Sequence, residues 1–116
     1  RNIGNTPQTY YSLAANIDLS IYVMETINEF NANLTGAGFT ITGLQISKNA
    51  SSDVAFVNVN NGVIRNLTLV DSVFTGDNNI SSIAVTNNGI IHGIVFNGVV
   101  IGRNNVAGMW LTIMVR

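Results

Sequence analysis

At 116 residues the chain is one domain or a piece of one. Its 47% apolar content is enough for a core, but only 9% of its residues are charged, far below the ~25% of ordinary globular proteins. A formal charge of −1 with no basic run excludes bulk attraction to nucleic acid or an anionic membrane, and the lack of Cys excludes disulfides, thiolate chemistry and cysteine metal sites.

Asparagine, the commonest residue type in the chain, supplies much of the missing polarity beside 11 Gly and one Pro. Asn, Gly, Val and Thr are indifferent or poor helix formers, so turns and β structure are expected. No apolar run approaches the ~20 residues of a membrane span, and no membrane insertion is expected. The start at Arg1 and the apolar finish suggest a mature product or an excised piece.

In chain order, residues 1–9 are polar and read as an irregular lead-in. A strand follows over residues 10–20, where Ile17 and Leu19 alternate with Asp18 and Ser20. Residues 21–30 are ambiguous. Ile27 and Phe30 are spaced as on a helix while Ile21-Tyr22-Val23 prefers β, so a short helix or irregular cap over the end of a sheet stack is expected.

A repeat then takes over. Asn60-Asn61-Gly62-Val63-Ile64-Arg65-Asn66-Leu67-Thr68-Leu69 returns as Asn87-Asn88-Gly89-Ile90-Ile91-His92-Gly93-Ile94-Val95-Phe96, and upstream more loosely from Thr35 to Ile46. The pairs Leu44/Ile46, Leu67/Leu69 and Ile94/Phe96 are two apart and face one side of a strand. Ile41, Ile64 and Ile91 lie three positions further back, which is the wrong parity for that side. A bend is therefore needed at Gly43, Asn66 or Gly93, residue types that tolerate a left-handed backbone.

Val54, Ile80 and Val106 are evenly spaced, and the same interval separates Val73 from Val99. The step from Gly62 to Gly89 is one position longer, while that from Gly38 to Gly62 is two positions shorter, so the first turn reads as the short one. Periods in the twenties mark solenoids, whose units cannot bury a face alone. Three strand groups per period predict a three-sided coil. The first carries Ile41, Ile64 and Ile91, the second Val73 and Val99, and the third Val54, Ile80 and Val106. Windings would stack ~4.8 Å apart by parallel pairing, right-handed by the crossover rule. Asn60-Asn61 and Asn87-Asn88 occupy the same turn, Asn61 and Asn88 standing out among them, and Asn79 sits one period before Asn105. These are candidates for amide ladders along the coil axis.

Residues 30–46 resemble the opening "FxGxFxGxGHTIxGLxI" of GLUG-type repeat regions of bacterial surface and secreted proteins, adhesins among them. "YYSLAANIDLS" is similar to their lead-in strand, "NNGVIRNLTL" and "NNGIIHGIVF" to their "NxGxIxNLxL" units, and "NVAGMWL" to the start of "VGGLVG". Asn31, Ala32 and Phe39 depart from the pattern, and the last unit runs into an apolar tail. The resemblance spans roughly residues 10–111 and implies a parallel β-helix at the cell surface or outside the cell.

Little in the chain points to chemistry. His92 is the sole histidine, so no multi-His metal site can form. By the repeat it joins Thr42 and Arg65 in an outward column of solvated residues. Asp53, Asp71 and Asp77 are the carboxylates of the repeat region, and none has the acidic partner one period on that a glycosidase pair requires. No cofactor is expected. Asn33, Asn49, Asn66 and Asn79 open glycosylation sequons, which chance alone would supply in so Asn-rich a chain. Met109, Trp110, Leu111, Ile113, Met114 and Val115 form the most apolar segment and, uncovered, would offer an edge to another chain.

The expectation is an all-β, right-handed parallel β-helix (β-solenoid) of about three to four coils. Residues 1–30 would form the lead-in strand and cap, and 31–116 the coils. Its expected role is that of a structural or adhesive module without catalysis. The alternatives are a head-to-tail fibre subunit and a polysaccharide-binding or -cleaving β-helix. Partners would be the chain itself, further coils of a longer parent, or a glycan or host surface.

Overall fold

The computed structural model describes residues 9–47, 52–107 and 110–112. The chain enters through β1 (Tyr10–Ser12), β2 (Ile17–Asp18) and β3 (Ile27–Phe30). The next winding carries β4 (Asn33–Thr35), β5 (Thr40–Thr42), β6 (Gln45–Ser47), β7 (Ser52–Val54) and β8 (Val57–Asn60). It is followed by β9 (Val63–Arg65), β10 (Thr68–Thr75), β11 (Asn78–Ile80) and β12 (Ala84–Asn87). The last winding carries β13 (Ile90–His92), β14 (Val95–Ile101), β15 (Asn104–Val106) and β16 (Trp110–Thr112). Every pairing between these strands is parallel and joins one winding to the next. The fold is an all-β solenoid of about three turns, entered through a partial one.

No helix occurs among the described residues. Residues 21–26 run irregularly, and Ile27–Phe30 is a strand on β8, so the helical option for this segment is replaced by sheet. Its Ile27/Phe30 spacing reflects two different neighbours: Ile27 stacks on Val57 and Phe30 on Asn60.

The three strand groups read per period become four sheets. These are β1-β4-β9-β13, β2-β5-β10-β14 with β6 also on β10, β7-β11-β15, and β3-β8-β12-β16. The last of them carries the column Ile27, Val57, Ala84 and Trp110, which the apolar periodicity did not separate from its neighbours. The first expected group joins two sheets in one: Ile64 and Ile91 stack on Leu34, whereas Ile41 stacks under Leu69 and Phe96. Leu67 and Ile94 share a level, while Leu44 lies level with Ser72, as the Leu67 and Leu44 carbonyls show by accepting from Val95 and Val73.

An insertion of two positions explains the shift. Gly36 lies against Asn66, its β-carbon position only 2.1 Å from the Asn66 carbonyl oxygen. Phe39 N–H then closes back on the Gly36 carbonyl at 2.9 Å, around Ala37 (φ 53°) and Gly38 (φ 86°). Two positive φ values are the signature of a type I′ turn. The path from Leu34 to Ile41 is accordingly two positions longer than the equivalent paths from Ile64 to Leu69 and from Ile91 to Phe96. Gly38 is thus the turn itself and no counterpart of Gly62. The early winding, expected to be the short one, is in fact the longer: more chain separates Leu34 from Ile64 than Ile64 from Ile91.

Gly43, Asn66 and Gly93 all have positive φ (74°, 52° and 68°), so the bends lie where the parity of the apolar residues requires them. Asp71 (φ 54°) lies level with Gly43 and is the extra residue at the register shift between Val70 and Ser72 against β14. Side chains inside the coil form the core. Ile41, Leu44, Ile46, Val54, Val57, Ile64, Leu67, Leu69, Phe74, Ile80, Ile83 and Ala84 are buried, and all belong to the two middle windings. Ile17, Ile91, Ile94, Phe96 and Val100, in the outer windings, are only half-buried because each rests on one neighbour instead of two.

Candidate functional site

The corners stack as well as the strands. Asp53, Asn79 and Asn105 stand one winding apart with φ of 63°, 59° and 53°, a left-handed corner that Asp and Asn accept more readily than other side chains. Asn105 Nδ2 donates to Asn79 Oδ1 at 3.0 Å, and Asn79 Nδ2 donates to Asp53 Oδ1 at 3.0 Å. Asn104 Nδ2 donates to Asn78 Oδ1 at 2.7 Å beside them.

A second exposed column holds Asn61 and Asn88. Asn88 Nδ2 donates to Asn61 Oδ1 at 3.1 Å, and Asn61 Nδ2 donates to Asn31 Oδ1 and Glu29 Oε2 at 2.8 Å each. Sequence periodicity did not extend this column to Asn31 and Glu29. The other pair of that turn, Asn60 and Asn87, forms an inner column of its own, which periodicity did not set apart from Asn61 and Asn88. Asn60 is fully buried; its Oδ1 accepts from Gly62 N–H at 3.1 Å and its Nδ2 donates to Asn87 Oδ1 at 2.9 Å. Asn87 Oδ1 accepts Gly89 N–H at 3.2 Å. The available signal was the Asn-x-Gly spacing, in which an Asn side chain turns back on the N–H two positions on.

Beside the Asp53 corner runs an open groove of about 520 Å³. It is lined by Asp53, Asn79 and Asn105 of that column and by Asn58, Val59, Val85 and Thr86 of β8 and β12, the two valines adding apolar surface. Among the described residues Asp53 is the only charged one that lines it.

The remaining sequence candidates are dispersed. Arg65 stacks on Thr35 and under His92, so Thr35 takes the place expected for Thr42, which pairs with Val70; the extra turn after Gly36 causes the displacement. Asp77 forms an ion pair with Arg103 of the next winding. The hydrogen bond from that guanidinium, aided by its charge, holds the Asp77 carboxyl below the usual carboxylate range. The Ser20 hydroxyl and N–H do the same for Asp18. Asp71 is exposed at its bulge. Among the described residues no three His, Cys, Asp or Glu side chains gather as a metal site, and no helix is long and apolar enough to cross a membrane. Of the sequon asparagines, Asn66 is exposed at its corner, Asn33 lies within a sheet, Asn79 is in the amide column, and Asn49 lies outside the described residues.

Trp110 and Leu111 lie on β16, the last strand of its sheet. Met109, Ile113, Met114 and Val115 of the expected assembly surface lie outside the described residues. Elsewhere the exposed large apolar side chains fall on two windings only. Tyr10, Tyr11, Ile21, Tyr22, Val23, Met24 and Ile27 belong to the first; Ile90, Val95, Val99, Ile101 and Val106 belong to the last.

Over 87 residues the chain is 32% identical to halomucin of Haloquadratum walsbyi (strain DSM 16790 / HBSQ001), an alignment that covers 73% of this chain and 1% of that protein. The chain therefore matches a very short segment of its curated relative. No family profile matches the chain, and no solved structure matches it.

Proposed function

We propose that the chain is a structural repeat region of a surface or extracellular protein, of the GLUG-like kind, that spaces or presents other parts of its parent and catalyses nothing. The observation that carries this reading is the unbroken stack. Each full winding hydrogen-bonds to the next through four sheets, the entry winding through three, and amide columns reinforce the corners. Such a stack is a rod segment whose length grows with each added repeat. Similarity to a short segment of halomucin supports a repeat-region setting, and the low charge suits a module that contributes spacing more than electrostatic attraction. Intact cells carrying the parent protein provide the test. A tag inserted at the Ala37–Gly38 turn should be accessible to an external antibody and to added protease; a tag reached only after lysis sinks the surface assignment.

A second reading is end-to-end self-association with an adhesive or fibre role. It is favoured by the confinement of exposed apolar side chains to the first and last windings, where the sheets also end and leave backbone groups to pair. Light scattering after size-exclusion chromatography should then show a mass that rises with concentration. A constant monomer mass removes this reading and leaves the first untouched.

A further inference from the structure

We propose that the groove beside Asp53, Asn79 and Asn105 is a binding site for a neutral oligosaccharide lying along the solenoid axis. The amide column forms a fixed wall. Hydrogen bonds of 3.0 Å hold each side chain to the winding before it, yet an amide NH2 has a second N–H and its oxygen a second lone pair. Those remaining groups repeat at the winding rise of ~4.8 Å, a distance close to the length of one hexose ring. Of the residues of β8 and β12 that line the groove, Asn58 and Thr86 have side chains with no protein partner among the described residues. Val59 and Val85 supply apolar surface in the groove.

Prealigned donors and acceptors over a small apolar patch match a sugar chain. Adjacent hydroxyls each give and accept a hydrogen bond, as an amide does, and the C–H face of the ring covers aliphatic surface. Preorganisation lowers the cost of ordering the site on binding. Among the described residues a single carboxylate and no cation line the groove, which disfavours an anionic ligand. An extended peptide would need a free strand edge. Along the middle of the groove β11 and β12 offer none, because each hydrogen-bonds to strands on both sides, and only β7 and β15 at its two ends are last in their sheet.

The test is a titration of the 15N-labelled protein with cellohexaose, mannohexaose and maltohexaose as neutral probes and hexagalacturonate as an acidic one. At least one neutral probe should shift the side-chain amide signals of Asn58, Asn79 and Asn105 and saturate. The double substitution Asn58→Ala/Thr86→Val should weaken that binding about tenfold or more with an unchanged urea midpoint. Asn88→Ala, on another corner, should leave the affinity unaltered. No shift with any neutral probe, shifts centred on Asn61 and Asn88, or a response confined to hexagalacturonate would each overturn the proposal. The titration uses the isolated protein, so its outcome is separate from the cell-surface test.

Discussion

Asn60 has no exposed surface, and its side chain both accepts from Gly62 N–H and donates to Asn87. Truncation at this position strands the buried Gly62 N–H and takes from the Asn87 oxygen one of its two donors. Asn61, one residue on, makes its bonds at the surface, where water replaces them. Asn60→Ala should therefore cost about 1–3 kcal/mol and Asn61→Ala less than about 1 kcal/mol. Urea unfolding of the two variants checks the ranking, and equal losses would mean that the buried column is no more important than the exposed one. The two columns also run in opposite senses. Asn88 donates back to Asn61, whereas Asn60 donates forward to Asn87, whose oxygen takes the Gly89 N–H as well.

At the scale of elements, windings meet most closely at glycine. A β-carbon on Gly89 would lie 2.1 Å from the Gly62 carbonyl oxygen, so Gly89→Ala must push β9 and β13 apart at their start. The expected loss is about 1–3 kcal/mol or more. Gly38 has open space around its β-carbon position but a φ of +86°, so Gly38→Ala meets only backbone strain of about 1–2 kcal/mol. Thermal melts should show the larger drop at Gly89. Inside the coil, Phe74 is fully buried and meets the Phe96 ring tilted at a centroid distance of 6.1 Å. Phe74→Ala should lose about 3–5 kcal/mol, and Phe96→Ala less, since Phe96 is covered from one side only. A reversed order in denaturant midpoints would show that the last winding is better covered than its half-buried side chains indicate.

Over the whole molecule, stability follows position along the axis. Among the described residues the two middle windings hold every buried apolar side chain, so they should exchange backbone amides last and the outer windings first. Charge plays a smaller part. Asp18 and Asp77 titrate lower in the folded chain than their ordinary value near 3.8. A lowered folded pKa adds stability that is full above the unfolded value and lost as pH falls through the folded one. The urea midpoint should thus hold from neutrality to about pH 5 and decline below about pH 4. Asp18 is exposed and the Arg103 side chain that pairs with Asp77 is 77% exposed, so the decline should be shallow and flatter still in high salt. Asp77→Asn should remove part of it, and a midpoint that rises in acid would contradict the sign.

The sequence by itself determined that the chain coils. Apolar residues two apart on either side of Gly43, Asn66 or Gly93 cannot all face inward without a left-handed bend, and recurrence at a near-constant interval leaves each strand only its own repeat to rest on. Those features are local and survive in a linear reading. Register was decided only in three dimensions. Ile41 resembles Ile64 in its surroundings along the chain, yet it stacks on Leu69, because Ala37 and Gly38 form an extra turn whose length is absorbed at a corner. Hydrogen bonding between windings selects which residues are level, and apolar periodicity alone does not. The groove belongs to the same class of fact. Asp53, Asn79 and Asn105 are visible in the chain as a column one period apart, but only the tertiary structure sets Asn58 and Thr86 of the next sheet along the same groove.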